Sequence, residues 1–210
     1  MSIPSPATTD KCIPQQKMLA YRTPAPTVPL AHGKASLLKG DWMAPTCDAY
    51  LDIETTGLAY TYDTLTVIGI YLHNDHDDEL IQLVGEEATA DALIGALEDV
   101  GTIFTYNGSR FDLPFINTYL GVDLARHYPH HDLMYDCWKN NLYGGLKSVE
   151  QQLGIERRLK GVDGLGAIRL WWKYRNDDDR NALNTLLTYN SEDLINLKRL
   201  REILTNYCQR

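Results

Sequence analysis

Apolar and polar residues alternate in short bursts between positions 47 and 84. In CDAYLDIETTG, which begins at Cys47, a strand places Ala49, Leu51 and Ile53 on one face and Tyr50, Asp52 and Glu54 on the other. LTVIGIYL (65–72) and ELIQLV (79–84) read as two further strands, bounded by polar turns. Over 86–99, EEATADALIGALED, the period lengthens to that of a helix with acids at both ends. TIFTYNG (102–108) is again a β-branched and aromatic strand, closed by Asn-Gly. Beyond it the pattern is helical, at about 112–120, 133–142, 146–153 and a long stretch near 177–207. Three strands, a helix, a strand and then helices predict an α/β domain with a mixed sheet flanked by helices.

Residues 1–40 carry six of the nine prolines and no sustained apolar period, so they are expected to form an extended or disordered arm, with 41–210 as the globular domain. The net charge of −8 argues against a protein held to nucleic acid by bulk charge, although clustered acids can themselves be a metal site. The four cysteines, at 12, 47, 137 and 208, show neither metal-ligand nor redox spacing, and they read as reduced thiols of an intracellular protein. The N-terminus lacks the apolar core of a signal peptide, and no apolar run approaches the roughly 18 residues of a membrane span. A cytoplasmic protein with no membrane partner is expected.

The chemistry enters with the carboxylates. Asp52 and Glu54, two apart on one strand face, lie about 6–7 Å apart at the backbone, close enough to share a cation. An acidic solvent face is the plainer alternative. On a helical wheel Leu186, Tyr189, Asp193, Leu197, Leu200 and Leu204 fall within about 80° of one another, so Asp193 sits inside the apolar stripe of the last helix. A buried carboxylate needs a counter-charge, and either an arginine or a metal would serve. Tyr189, one turn earlier, shares that face. In YNGSRFDLPFI (106–116) a helix is expected to begin near Asp112, where the side chain is either an N-cap or a third acid turned to the same site.

DIETTG, YNGSRFDLPFI and YNSED, in this order and spacing, resemble the three exonuclease motifs of the DnaQ-like (DEDD) 3′–5′ exonucleases of ribonuclease H-like fold. The resemblance spans about residues 47–200, and GLKSVEQQLGI (145–155) is similar to a segment of the YprB-like branch. It implies a five-stranded ribonuclease H-like sheet and catalytic Asp52, Glu54, Asp112, Tyr189 and Asp193. It also implies two divalent cations, Mg²⁺ or Mn²⁺, held by Asp52, Glu54, Asp112 and Asp193. Asp52 would bridge both ions, Glu54 and Asp193 would complete the nucleophile-side site, and Asp112 would hold the other ion. Oxygen ligands suit these hard ions, and a pair about 3.5–4 Å apart can activate water and stabilise a leaving 3′ oxygen. Tyr189, four residues before the last acid, matches the DEDDy sub-branch. The position of the alternative histidine is Thr188. The implied partner is a single-stranded DNA or RNA 3′ end. The alternatives are a non-catalytic nucleic-acid-binding module of the same fold and a structure-specific endonuclease.

The same resemblance places Thr55, Thr56, Gly57 and Leu58 along the slot for the terminal nucleotide, and Asn107, at the sheet edge, reads either as a contact near the scissile phosphate or as a loop cap. ERRLKGVDGLGAIRLWWKYR (156–175) holds six basic residues interleaved with Trp171, Trp172 and Tyr174. It reads either as a track for a phosphate backbone and unpaired bases or as a basic-faced helix with core tryptophans. His130-His131-Asp132 is a weak metal candidate, since adjacent strand residues face opposite ways. Asp177-Asp178-Asp179 reads as the cap of the last helix.

Overall fold

The computed structural model describes residues 47–74 and 78–207, so the expected proline-rich arm lies outside the described residues. Its frame is a five-stranded sheet in the spatial order β3-β2-β1-β4-β5. The strands are β1 (Cys47–Thr55), β2 (Leu65–His73), β3 (Asp78–Val84), β4 (Val100–Thr105) and β5 (His130–Asp132). Strands β1, β2 and β3 pair antiparallel, whereas β4 lies parallel to β1 and β5 parallel to β4. The mixed sheet of the ribonuclease H-like expectation is therefore present. Its fifth strand, three residues long, is too short to show a period.

Among the described residues seven α-helices cover the sheet: α1 (Ala90–Ala96), α2 (Asp112–Leu120), α3 (Leu124–His127), α4 (Leu133–Lys139), α5 (Leu146–Leu153), α6 (Gly164–Asp177) and α7 (Arg180–Tyr207). The helix expected over 86–99 is shorter than its pattern. A 3₁₀ turn (Gly85–Glu87) comes first, and the Thr89 side chain then accepts the Ala92 N–H at 3.2 Å to start α1. Helix α6, within the basic and aromatic segment, ends where Asp178 turns left-handed. The Asp179 carboxylate then accepts the N–H groups of Asn181 and Ala182, which caps α7.

The alternation in β1 sorts the two layers. Ala49, Leu51 and Ile53 join Leu93, Phe115, Ile116 and Leu124 in a core beneath α1–α3. Tyr50 faces the other way and packs with Leu133, Val149, Leu194, Leu197, Leu200 and Leu204 from α4, α5 and α7. Each buried leucine of that α7 stripe contributes about 1.5–3 kcal/mol, so the helix is docked firmly across β1 and β2. The docked stripe determines where Asp193 must point.

Candidate active site

Asp52 and Glu54 rise from the central strand on the face covered by α7, and Asp193 descends from α7 to meet them. One carboxylate oxygen from each lies within 4.8 Å of the others. Asp52 is half-buried, and Glu54 and Asp193 are buried. Asp112 approaches from the other side of β1. The N-cap alternative for this residue does not hold, because no side-chain bond caps α2. Its Oδ1 instead accepts the N–H of Ile53 at 3.1 Å, between the two strand acids.

Four acids this close disfavour one another's charge. Burial, then Asp193, Asp112 and Glu54, push the Asp52 pKa well above the usual carboxylate range, and a hydrogen bond from Asn190 opposes the rise. Glu54 is raised by burial and Asp193, with Lys147 opposing. Burial pushes Asp112 up to about 7 despite the Ile53 N–H. Asp193 is raised by burial although Arg157 and Lys147 pull it down. The Tyr189 hydroxyl is buried, and its pKa is raised first by that burial and then by Asp193, Glu54 and Asp52.

Positive charge is nevertheless built into the surroundings. The arginine alternative for Asp193 is realised: Arg157 donates from Nη2 to Asp193 Oδ1 while its Nε and Nη2 grip the buried Glu150. Lys147 Nζ lies 4.2 Å above the centre of the Tyr189 ring. The local fold explains the arginine. Helix α5 stops at Gly154, whose φ of +69° suits glycine, and the Ile155 N–H closes on the Glu150 carbonyl. The chain therefore turns back and brings Arg157 onto Glu150. None of Arg157, Lys147 and Glu150 stood out in the sequence as a neighbour of the acids, because a partner 36 positions away leaves no local pattern.

The acids still lack something. Glu54 Oε1 is buried and has no hydrogen-bond partner among the described residues. A buried carboxylate oxygen left bare is costly, and Glu54, Asp52 and Asp193 together converge as three hard oxygen donors that suit a divalent cation. The donor set fits Mg²⁺ or Mn²⁺.

The expected substrate residues follow β1 directly. Thr55 Oγ1 donates to the Gly57 carbonyl at 2.5 Å. Thr56 Oγ1 donates to Asp63 Oδ1 and accepts the Thr64 N–H. At Gly57 a Cβ would stand 2.4 Å from Asp63 Oδ2, so the loop closes tightly there. This braced loop presents Leu58 at 80% exposure and Tyr62 at 91%. Asn107 sits in a left-handed conformation, φ 64°, and its N–H donates to Asp132 Oδ1 at 2.7 Å. Asp132 also accepts from the N–H and hydroxyl of Ser109 and from the N–H of Met134. It braces the turn ahead of Asp112, and His131 pairs instead with Asp136, so the three residues do not converge as ligands. The basic and aromatic segment divides: Trp171 is buried beside Val67 and Tyr189, whereas Trp172 is half exposed.

A mixed five-stranded sheet with acids on its central strand and last helix defines a ribonuclease H-like domain. The RNase_H superfamily model matches residues 49–205, and the chain belongs to that family. Solved structures share the fold. The family B DNA polymerase from the hyperthermophilic archaeon Pyrobaculum calidifontis aligns with a TM-score of 0.60 at 16% identity, over 80% of this chain and 25% of the polymerase. The chain thus spans about a quarter of that protein's length. Brucella melitensis NrnC, in structures bound to pGG and with bound Mg²⁺, aligns with a TM-score of 0.51 at 21% identity, over 78% of this chain and 74% of NrnC. No curated protein sequence matches. No described helix is long and apolar enough to cross a membrane.

Proposed function

We propose that the chain is a metal-dependent 3′–5′ exonuclease that hydrolyses phosphodiester bonds at single-stranded DNA or RNA 3′ ends by a two-metal mechanism of the DEDDy kind. One observation carries this reading. Oxygens of Asp52, Glu54 and Asp193, from a central strand and a distant helix, meet within 4.8 Å. The three would hold one cation, and Asp112 with Asp52 would hold the second. Bound Mg²⁺ or Mn²⁺ supplies the positive charge that makes water a stronger nucleophile and stabilises the departing 3′ oxygen. The NrnC structures with Mg²⁺ and with pGG support the choice of ion and of nucleic acid.

The chain's own groups orient and exclude. Tyr189 keeps its proton at neutral pH, because burial and three carboxylates raise its pKa, so it donates a hydrogen bond to the attacking water and does not serve as its base. Thr55, Thr56 and Gly57 shape the slot. Leu58 packs against the terminal base or sugar, and Asn107 stands near the scissile phosphate. Within the group, we assign the chain to the YprB-like branch on the resemblance of the 145–155 segment, whose residues 146–153 form α5. The enzyme works in the cytoplasm.

The test uses 5′-labelled single-stranded DNA and RNA with Mg²⁺, Mn²⁺ or EDTA, comparing wild type with Asp193→Asn. A ladder shortening from the 3′ end, abolished by EDTA and by the substitution, is the expected result. Internal fragments would mark an endonuclease. Binding without cleavage would mark a non-catalytic module.

A further inference from the structure

Asp52 on β1, Gly69 on β2 and Gln82 on β3 stand in one row across the sheet, since Gly69 pairs with Asp52 on one side and with Gln82 on the other. The row has a gap in its middle, because Gly69 has no side chain. Asn190, fully buried on α7, lies in that gap. A Cβ at position 69 would stand 2.1 Å from Asn190 Oδ1 and 2.8 Å from Leu194 Cδ1, so only glycine admits the amide at this depth.

The hydrogen bonds through the gap have one direction. The Leu187 carbonyl can only accept, and Gln82 Nε2 donates to it at 2.9 Å. The same nitrogen donates to Asn190 Oδ1, also at 2.9 Å. With its oxygen taken, Asn190 turns its Nδ2 to Asp52 and donates to Oδ2 at 2.9 Å. A flipped Asn190 would set oxygen against carboxylate and NH₂ against NH₂. The orientation is therefore imposed by Gln82 on β3, a strand that holds none of the four acids, and by the Leu187 carbonyl of α7.

We propose that Asn190 is a positioning residue for Asp52, locked by Gln82 and admitted by Gly69, and that this relay sets the rotamer in which Asp52 holds a divalent cation. The proposal rests on the reading of Asp52 as a metal ligand. Asn190 occupies the position after Tyr189 in YNSED, where the sequence showed only one more polar residue on a helix. The amide commits one side of the Asp52 carboxylate and stops it swinging away from Glu54 and Asp193 when repulsion would drive it to do so. Outer hydrogen-bond partners of this type are worth about 10–100-fold in metal affinity.

The experiment measures Mn²⁺ binding directly, from the electron paramagnetic resonance signal of free Mn²⁺, for wild type, Asn190→Ala, Gln82→Met and Asp52→Asn. Folding of each is checked by cooperative urea unfolding in EDTA. Asn190→Ala is expected to bind Mn²⁺ about 10-fold or more weakly, and Gln82→Met a few-fold more weakly because the amide can then flip. A purely structural role would lower the urea midpoint and leave Mn²⁺ affinity unchanged. That result in a folded Asn190→Ala overturns the proposal. If Asn190→Ala does not fold, Gln82→Met decides, and unchanged affinity there overturns it equally. Wild-type affinity in Asp52→Asn would remove the metal reading and this inference together. Loss in Asp52→Asn alone would remove only the relay.

Discussion

Arg157 holds Asp193 and the buried Glu150 with one guanidinium, and its remaining Nη1 is buried and has no partner among the described residues. An acid proposed to bind a cation therefore already carries a protein cation. The two roles are compatible, because Arg157 takes Oδ1 of Asp193 and a carboxylate has further lone pairs to offer. The arginine offsets part of the Asp193 charge when no ion is bound.

Replacing Arg157 with Met strands two buried carboxylates. Removing one partner of a buried ion pair costs about 3–5 kcal/mol, and Arg157 is 13% exposed in its side chain, so that range applies. Urea unfolding in EDTA should show this loss. In saturating Mg²⁺ part of it should return, because an ion then neutralises Asp193, while Glu150 stays uncompensated. An equal loss with and without Mg²⁺ would mean that the ion does not reach Asp193.

The acid cluster gives the metal-free protein an unusual pH dependence. Burial first, and mutual repulsion in Asp52 and Glu54, raise the acids of the site, with Asp112 pushed up to about 7. In the unfolded chain the same groups titrate near about 4. The folded state then binds more protons than the unfolded state between these values, so stability falls as pH rises. In EDTA, Tm should drop as pH rises from 5 through 7, which thermal scans in matched buffers would record. Asp112→Asn should flatten the slope, and so should Mg²⁺. A Tm in EDTA that climbs from pH 5 to 8 would contradict the charge analysis.

The loop after β1 presents two apolar groups to water on a rigid support. Asp63 pins it through Thr56 Oγ1 and the Ala59 N–H, and Tyr60 anchors it to the Arg110 carbonyl and edge-on to Phe115. Leu58 and Tyr62 have no packing role that explains them. Stacking of a base on an aromatic ring such as that of Tyr62 is worth about 1–3 kcal/mol. Tyr62→Ala should raise KM for single-stranded oligonucleotides about 5- to 100-fold, and Leu58→Ala should raise it in the same direction, while kcat and Tm hold. An unchanged KM in the double variant would move the substrate path elsewhere.

Legibility from the sequence followed the range of the interactions. Strand β1 and helix α7 were readable because periodicity is local, and Asp193 stood out as a carboxylate within a leucine stripe. The start of α1 was misplaced because Thr89 interrupts an otherwise helical pattern as a cap. Asp112 was ambiguous because Asp at a helix start has a standard local use, and only the fold shows its side chain turned to Ile53. Arg157 and Asn190 were seen as residues but not as parts of the site. The contacts that give them meaning cross 36 and 138 positions.

Those separations also have a consequence for synthesis. The strand bearing Asp52 leaves the ribosome long before the helix bearing Asn190 and Asp193, 138 residues behind in the case of Asn190. At about 5–20 residues per second this interval lasts about 7–28 s. Asp112 joins Asp52 and Glu54 on the way, but throughout the interval the growing chain has neither the amide nor the final carboxylate. On the proposed function, a nascent chain beside messenger and transfer RNA stays inert until helix α7 is made and docked.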